Sequence, residues 1–71
     1  MITWYWLDAA PEAVAYFKKK KAVKVNTING IEIWRDAFGY SRLIKESDGK
    51  IQISSHDFLS IKEATNAIND M

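Results

Sequence analysis

The sequence predicts an α+β fold: an antiparallel three- or four-stranded meander, a C-terminal helix packed on one face of the sheet, and a short N-terminal helix. Three observations lead to this prediction. Two alternating apolar runs flank Asn29-Gly30, a strong hairpin signal because both turn positions require positive φ. Two further glycine-containing turns separate later alternating runs. Finally, Ser60-Ile61-Lys62-Glu63 has the pattern of a helix capping box.

The N-terminal part is predicted to hold a short strand and then the first helix. Residues 2–7 are β-branched and aromatic, which favours an extended strand. A helix is expected to begin at Asp8 or Ala10, because Pro11 is tolerated in the first turn, where its missing N–H has no partner. The helix is expected to end at Lys18–Lys21, where positive charges suit the negative end of the helix dipole.

The middle of the chain is predicted to form the meander. The alternating runs place strands near residues 23–28, 31–36, 40–46 and 50–54. Because their connections are short, neighbouring strands must run antiparallel.

The C-terminal helix is expected over about residues 60–70. Ile61, Ala64, Ile68 and Met71 recur at helical spacing and give this segment an apolar stripe. We expect the stripe to face the sheet, with Phe58 and Leu59 packed at the corner before the helix.

Length and composition restrict the classes of protein that remain. The 71 residues form one domain (residues 1–71), and 48% of them are hydrophobic, which is enough for a densely packed core. The chain has no cysteine and one histidine, so we expect neither a disulfide nor a closed zinc site. We find no signal-peptide core and no membrane-spanning run, and expect a cytoplasmic protein with no cofactor and no membrane contact.

No arrangement of residues in the sequence predicts catalysis. Ser54, Ser55, His56 and Asp57 place a hydroxyl, an imidazole and a carboxylate side by side. Neighbours on one loop cannot adopt the geometry of a catalytic triad, whose members come from separate elements. All three glycines are assigned to hairpin turns, which leaves no phosphate-binding loop. We therefore expect a protein that is not an enzyme.

Charge is distributed unevenly along the chain. Residues 1–35 carry six basic and three acidic side chains, a net +3, whereas residues 36–71 carry four basic and six acidic ones, a net −2. The basic excess is concentrated in Lys18–Lys21, with Lys24 nearby. Such a block can contact nucleic-acid phosphates, and it can equally be a solvated helix end. The absence of arginine and glycine beside it favours the second interpretation.

The aromatic residues serve either the core or an interface. Trp34 illustrates this choice. It lies on the same predicted strand as Ile31 and Ile33, and alternation directs its side chain to the other face of the sheet. If the C-terminal helix covers the isoleucines, Trp34 lies on the other face, either under the N-terminal helix or exposed. An exposed Trp34 would mark a partner site. The same choice applies to the other aromatic residues, which include Trp4, Tyr5, Trp6, Phe38 and Tyr40.

The region from Gly30 to Asp70 resembles two kinds of DNA-binding domain. It carries the Asp48-Gly49-Lys50 turn, the strand Ile51-Gln52-Ile53, and the closing segment from Phe58 to Ala64 followed by Ala67-Ile68. In this layout it is similar to the plant ethylene-response-factor type of domain and to the N-terminal arm-binding domains of phage and transposon integrases. Small uncharacterised proteins of bacteria and phages share the closing pattern.

The resemblance implies a three-stranded sheet crossed by a helix, and DNA recognition through the sheet. Those domains read DNA with a sheet face rich in arginine and tryptophan. Here the corresponding strand positions mix acids with bases, namely Glu32, Trp34, Arg42 and Glu46.

These observations predict a small interaction protein of bacterial or phage type, an adaptor or inhibitor that docks on a larger protein partner. The alternative is a nucleic-acid-binding module that uses the Lys18–Lys24 segment or the sheet face. A homodimer is a further possibility, because exposed edge strands can pair with those of a second copy. The candidate binding residues are Trp34, Tyr40, Arg42, Lys18, Lys19, Lys20, Lys21 and Lys24.

Overall fold

Five strands and one helix make up the computed structural model of the protein, which describes residues 2–6 and 19–71. The helix is called α1 below. In chain order the elements are β1 (Trp4–Trp6), β2 (Val23–Ile28), β3 (Ile31–Arg35), β4 (Ser41–Ser47), β5 (Lys50–Ser54) and α1 (Ile61–Asn69).

All the strands belong to one antiparallel sheet in the order β1-β5-β4-β3-β2. Strands β2 to β5 form the expected meander, in which each strand pairs with its neighbour in the chain. Strand β1 pairs with β5, so that Tyr5 lies opposite Ile53. The two edges of the sheet are therefore β1 and β2.

Two tight turns fix the register of the meander. Asn29 and Gly30 have φ values of 52° and 78°, and they join Ile28 directly to its partner Ile31. Positive φ at both central positions is the type I′ geometry, whose twist matches that of the paired strands. The Asp48-Gly49 turn repeats this arrangement between β4 and β5.

Helix α1 begins as the capping box predicts. Ser60 is the N-cap, and its hydroxyl accepts a hydrogen bond from Glu63 N–H at 3.2 Å. The Glu63 carboxylate accepts in return from Leu59 N–H at 3.1 Å, one residue before the N-cap. These bonds satisfy backbone donors that the first helical turn leaves unpaired.

The core lies between α1 and one face of the sheet, the helix-covered face. Its centre is formed by Ile33, Leu43 and Ala64, all fully buried, together with Ile31 and Ile68. Ile33 and Leu43 are cross-strand partners, so the helix packs over a continuous apolar row. Burying one such aliphatic side chain contributes about 1.5–3 kcal/mol.

The opposite side of the sheet, the second face, carries Trp34, Arg42, Ile44 and Ile53. The pleat sends successive side chains to alternate faces, which separates Trp34 from Ile31 and Ile33 as the sequence predicts. Ile44 and Ile53 are partners on adjacent strands, and both are buried. The second face therefore also carries buried apolar residues.

The four predicted strands of the meander and the C-terminal helix are confirmed, with ends that differ by one residue or less. The N-terminal strand is shorter than predicted, since it spans Trp4–Trp6 rather than residues 2–7. The strand count is corrected, because the sheet has five strands rather than three or four. The reason is that the N-terminal strand joins the sheet by pairing with β5, the last strand of the meander.

Most of the predicted N-terminal helix falls in residues 7–18, outside the described residues. Its predicted last turn extended over Lys19–Lys21, and there the expectation is wrong. Lys19 and Lys20 form a turn and a bend, and Lys21 has a φ of 54°, which is not helical.

Candidate functional site

Three of the predicted binding residues form a row across the second face. Lys24 on β2 lies opposite Trp34 on β3, and Trp34 lies opposite Arg42 on β4. Side chains directly opposite each other on one face of an antiparallel sheet are close enough to interact. The register therefore brings together residues that are far apart in the sequence.

Acidic neighbours pair with both charges of this row. Lys24 Nζ lies 3.7 Å from Glu32 Oε2, and the same carboxylate accepts a 2.9 Å hydrogen bond from Trp34 Nε1 through Oε1. Arg42 Nε donates to Asp57 Oδ1 at 2.6 Å. Both cations of the row therefore have a carboxylate partner within the fold.

Trp34 is half-buried rather than fully exposed. Its ring lies on the same face as the buried residues Ile44 and Ile53, and its indole N–H has a partner in Glu32. Trp34 lies outside the cluster of buried residues between α1 and the sheet, so its burial is intermediate between the core and interface alternatives.

The connection from β3 to β4 differs from the two tight hairpins. Asp36 is only 4% exposed, and its Oδ1 accepts from Phe38 N–H at 2.9 Å and from Tyr40 N–H at 3.1 Å. Backbone bonds from Asp36 N–H to Tyr40 O and from Gly39 N–H to Asp36 O close the loop. One inward carboxylate therefore organises the whole connection.

The two aromatic side chains of this loop are exposed, in contrast to the buried Asp36. Phe38 is 73% exposed and Tyr40 is 42% exposed. Leu59, which is 69% exposed, lies at the same end of the sheet, because the backbones of Ser41 and Phe58 are joined by two hydrogen bonds of 2.9 and 2.7 Å. We call Phe38, Tyr40 and Leu59 the loop-end patch.

Neither Phe38 nor Leu59 was among the candidate binding residues. Leu59 was expected to pack at the corner before the helix, and that expectation is wrong, because its side chain is exposed. A phenylalanine or leucine in a short chain is usually a core residue. The available signal was the position of Phe38 inside the Asp36–Gly39 turn, since connecting segments run over the protein surface. Tyr40, by contrast, was predicted as a binding residue and lies in the patch.

The lysine block lies beside this loop. Lys20 O accepts a 2.9 Å hydrogen bond from Ala37 N–H, which holds residues 19–21 against the connection between β3 and β4. Lys19 and Lys21 are exposed, and Lys20 is half-buried. Lys18 lies outside the described residues.

The Ser54–Asp57 segment has a structural role in the described part of the chain. Ser54 is buried, and its hydroxyl accepts from Leu43 N–H at 3.0 Å, where β4 and β5 separate. The Ser54 hydroxyl donates to the backbone carbonyl of His56, and the Ser55 hydroxyl lies 3.5 Å from His56 Nδ1. The Asp57 carboxylate accepts from Arg42, which is not the serine–imidazole–carboxylate order of a triad.

Two surface clefts are lined by described residues. One, of about 220 Å³, includes Glu32, Ile44 and Ile51. The other, of about 270 Å³, includes His56 and Phe58. Typical small-molecule pockets measure roughly 300–1,000 Å³, so neither cleft is our candidate site.

Within residues 2–6 and 19–71, no three His, Cys, Asp or Glu side chains are grouped as metal ligands. No helix in that part of the chain has the length and apolar character needed to cross a membrane.

Comparison with known proteins gave no match: no protein-family model, curated protein or solved structure is significantly similar to the chain. The resemblance to ethylene-response-factor and integrase arm-binding domains stays a prediction.

Proposed function

We propose that the chain is a small, non-enzymatic interaction protein that docks on a larger protein partner through the loop-end patch. One observation supports this proposal above the others. Phe38, Tyr40 and Leu59 expose their side chains at one end of the sheet while the backbone around them is hydrogen-bonded.

Exposed apolar side chains on an ordered backbone suit a protein interface. Aromatic residues dominate the binding energy of many interfaces, because they bury a large area on contact. A loop that is already ordered loses less conformational entropy when it binds. The patch meets both conditions, since Asp36 fixes the backbone at Phe38 and Tyr40.

The alternative function, nucleic-acid binding, has weaker support. Lys19 and Lys21 are exposed beside the loop-end patch. Proteins that bind single-stranded nucleic acids combine basic and aromatic side chains in this way. However, Lys24 and Arg42 are paired with Glu32 and Asp57, which removes the cationic character of the second face.

Affinity capture with matched variants tests the proposal. We expect the wild type to retain a protein from a bacterial lysate, and Phe38→Ala to lose it while the fold is unchanged. Ile51→Thr is the control, because Ile51 is as exposed as Tyr40 (43% and 42%) but lies near the β4–β5 turn at the opposite end of the sheet. Equal capture by Phe38→Ala and the wild type would contradict the proposal.

An oligonucleotide titration separates the two functions. We expect no measurable binding to single-stranded or duplex DNA at about 150 mM salt, because phosphate contacts weaken steeply with salt. Sub-micromolar binding that weakens uniformly when Lys19 and Lys21 are changed to Ala would favour the nucleic-acid function instead.

A further inference from the structure

Strand β2 forms one edge of the sheet, and five of its six residues are exposed. An edge strand presents N–H and C=O groups that can pair with another chain. The sequence predicts that such edges allow a homodimer. Whether this edge can pair depends on which of its backbone groups are already bonded.

The turn after β2 determines the direction of its backbone groups. In a two-residue hairpin the residues that flank the turn, here Ile28 and Ile31, form a hydrogen-bonded pair. The next pair, Thr27 and Glu32, is then of the non-hydrogen-bonded kind. The N–H of Thr27 consequently points away from β3, toward the outside of the sheet.

This outward N–H is already bonded. Asn26 Oδ1 accepts from Thr27 N–H at 2.8 Å, so a side chain of β2 occupies the donor that an added strand would use. The register also shifts between Lys24 and Asn26, which marks a β-bulge. Bulges bend an edge strand and interrupt the regular spacing that a second strand must match.

We propose that Asn26 keeps the β2 edge closed against pairing with β2 of a second copy of this chain. A second copy is a suitable partner, because a two-fold axis beside the edge places β2 of one copy antiparallel to β2 of the other. Such pairing would also shield Val23 and Val25, which are exposed on β2. The proposal is independent of the loop-end patch, to which neither Asn26 nor Thr27 belongs.

Sedimentation equilibrium over a concentration series tests this role. The wild type is expected to sediment as the 8.2 kDa monomer. Asn26→Ala frees the Thr27 N–H in each copy and should strengthen dimerisation by about tenfold or more, the effect of one or two additional hydrogen bonds. Asn66→Ala is the control, since Asn66 is exposed on α1.

A second variant shows whether any association uses the proposed donor. Thr27→Pro removes the N–H, which β3 does not use, and proline is accepted in edge strands at such positions. Asn26→Ala combined with Thr27→Pro should therefore return to the wild-type mass. A folded Asn26→Ala variant that dimerises no more tightly than the wild type would overturn the proposal, and so would dimerisation unaffected by Thr27→Pro.

Amide hydrogen exchange on the wild type provides a readout that does not depend on how the variants fold. In the monomer, the Thr27 amide should exchange at least about tenfold more slowly than an unstructured amide, because it is hydrogen-bonded to Asn26. Exchange at the unstructured rate would overturn the proposal. A wild-type dimer that protects the Thr27 amide would also overturn it, because the edge would then already be paired.

Discussion

The helix-covered face and the loop end of the sheet differ in how their backbone N–H and C=O groups are hydrogen-bonded. They also differ in whether their large side chains are buried or exposed. At the first, strand and helix hydrogen bonds leave Ile33, Leu43 and Ile68 to pack inward. At the second, the Asp36 carboxylate replaces regular pairing, and Phe38 is directed into solvent. Order in the backbone and burial of the side chain are therefore separate properties, and a docking surface needs the first without the second.

The largest effect is expected in the core. Ile68→Ala should lower the free energy of unfolding by about 2–5 kcal/mol, because it removes packed methyl groups and leaves a cavity between α1 and the sheet. Chemical denaturation of the two proteins measures this difference. A loss below about 1 kcal/mol would mean that the helix does not pack as described.

The loop should respond to the loss of its organising carboxylate by an intermediate amount. Asp36→Ala leaves the N–H groups of Phe38 and Tyr40 without their acceptor and should cost about 2–3 kcal/mol in unfolding free energy. Asp36→Asn keeps an oxygen at the Oδ1 position and should retain most of the stability. Thermal or chemical denaturation of both variants checks the comparison, and equal losses would show that the two hydrogen bonds are not the cause.

The smallest effect is expected at the tip of the loop. Phe38→Ala should change the unfolding free energy by no more than about 0.5 kcal/mol, because the side chain is 73% exposed and is not part of the core. Denaturation of this variant beside Ile68→Ala gives the sharpest contrast between the two regions. A large loss would place Phe38 in a packed environment and remove the basis of the loop-end patch.

The sequence predicts the elements of the meander because their signals are local. Asn29-Gly30 and Asp48-Gly49 specify tight turns, and Ser60 with Glu63 specifies the start of α1. The N-terminal strand β1 is also indicated by local composition, but its pairing is not, since Trp4–Trp6 pairs with a strand from the other half of the chain. Pairing over that distance depends on the packing of the finished sheet rather than on any neighbouring residue.

The candidate site is predictable only in part, for a similar reason. Alternation along β3 places Trp34 on the other face of the sheet from the isoleucines. It does not indicate that Lys24 pairs with Glu32 or that Arg42 pairs with Asp57. Those pairs depend on the β2 bulge, the β3–β4 register and the course of the chain after β5. The exposure of Phe38 depends on the inward orientation of Asp36, which residue type alone does not predict.

Amide hydrogen exchange at Phe38 and Tyr40 tests most directly the claim that the loop end has an ordered backbone beneath exposed side chains. We expect both amides to be protected in the wild type and in Phe38→Ala, and to lose protection in Asp36→Ala, because their acceptor is Asp36 Oδ1. Exchange of both amides at the rate of an unstructured peptide in the wild type would show that the backbone at the loop end is not ordered.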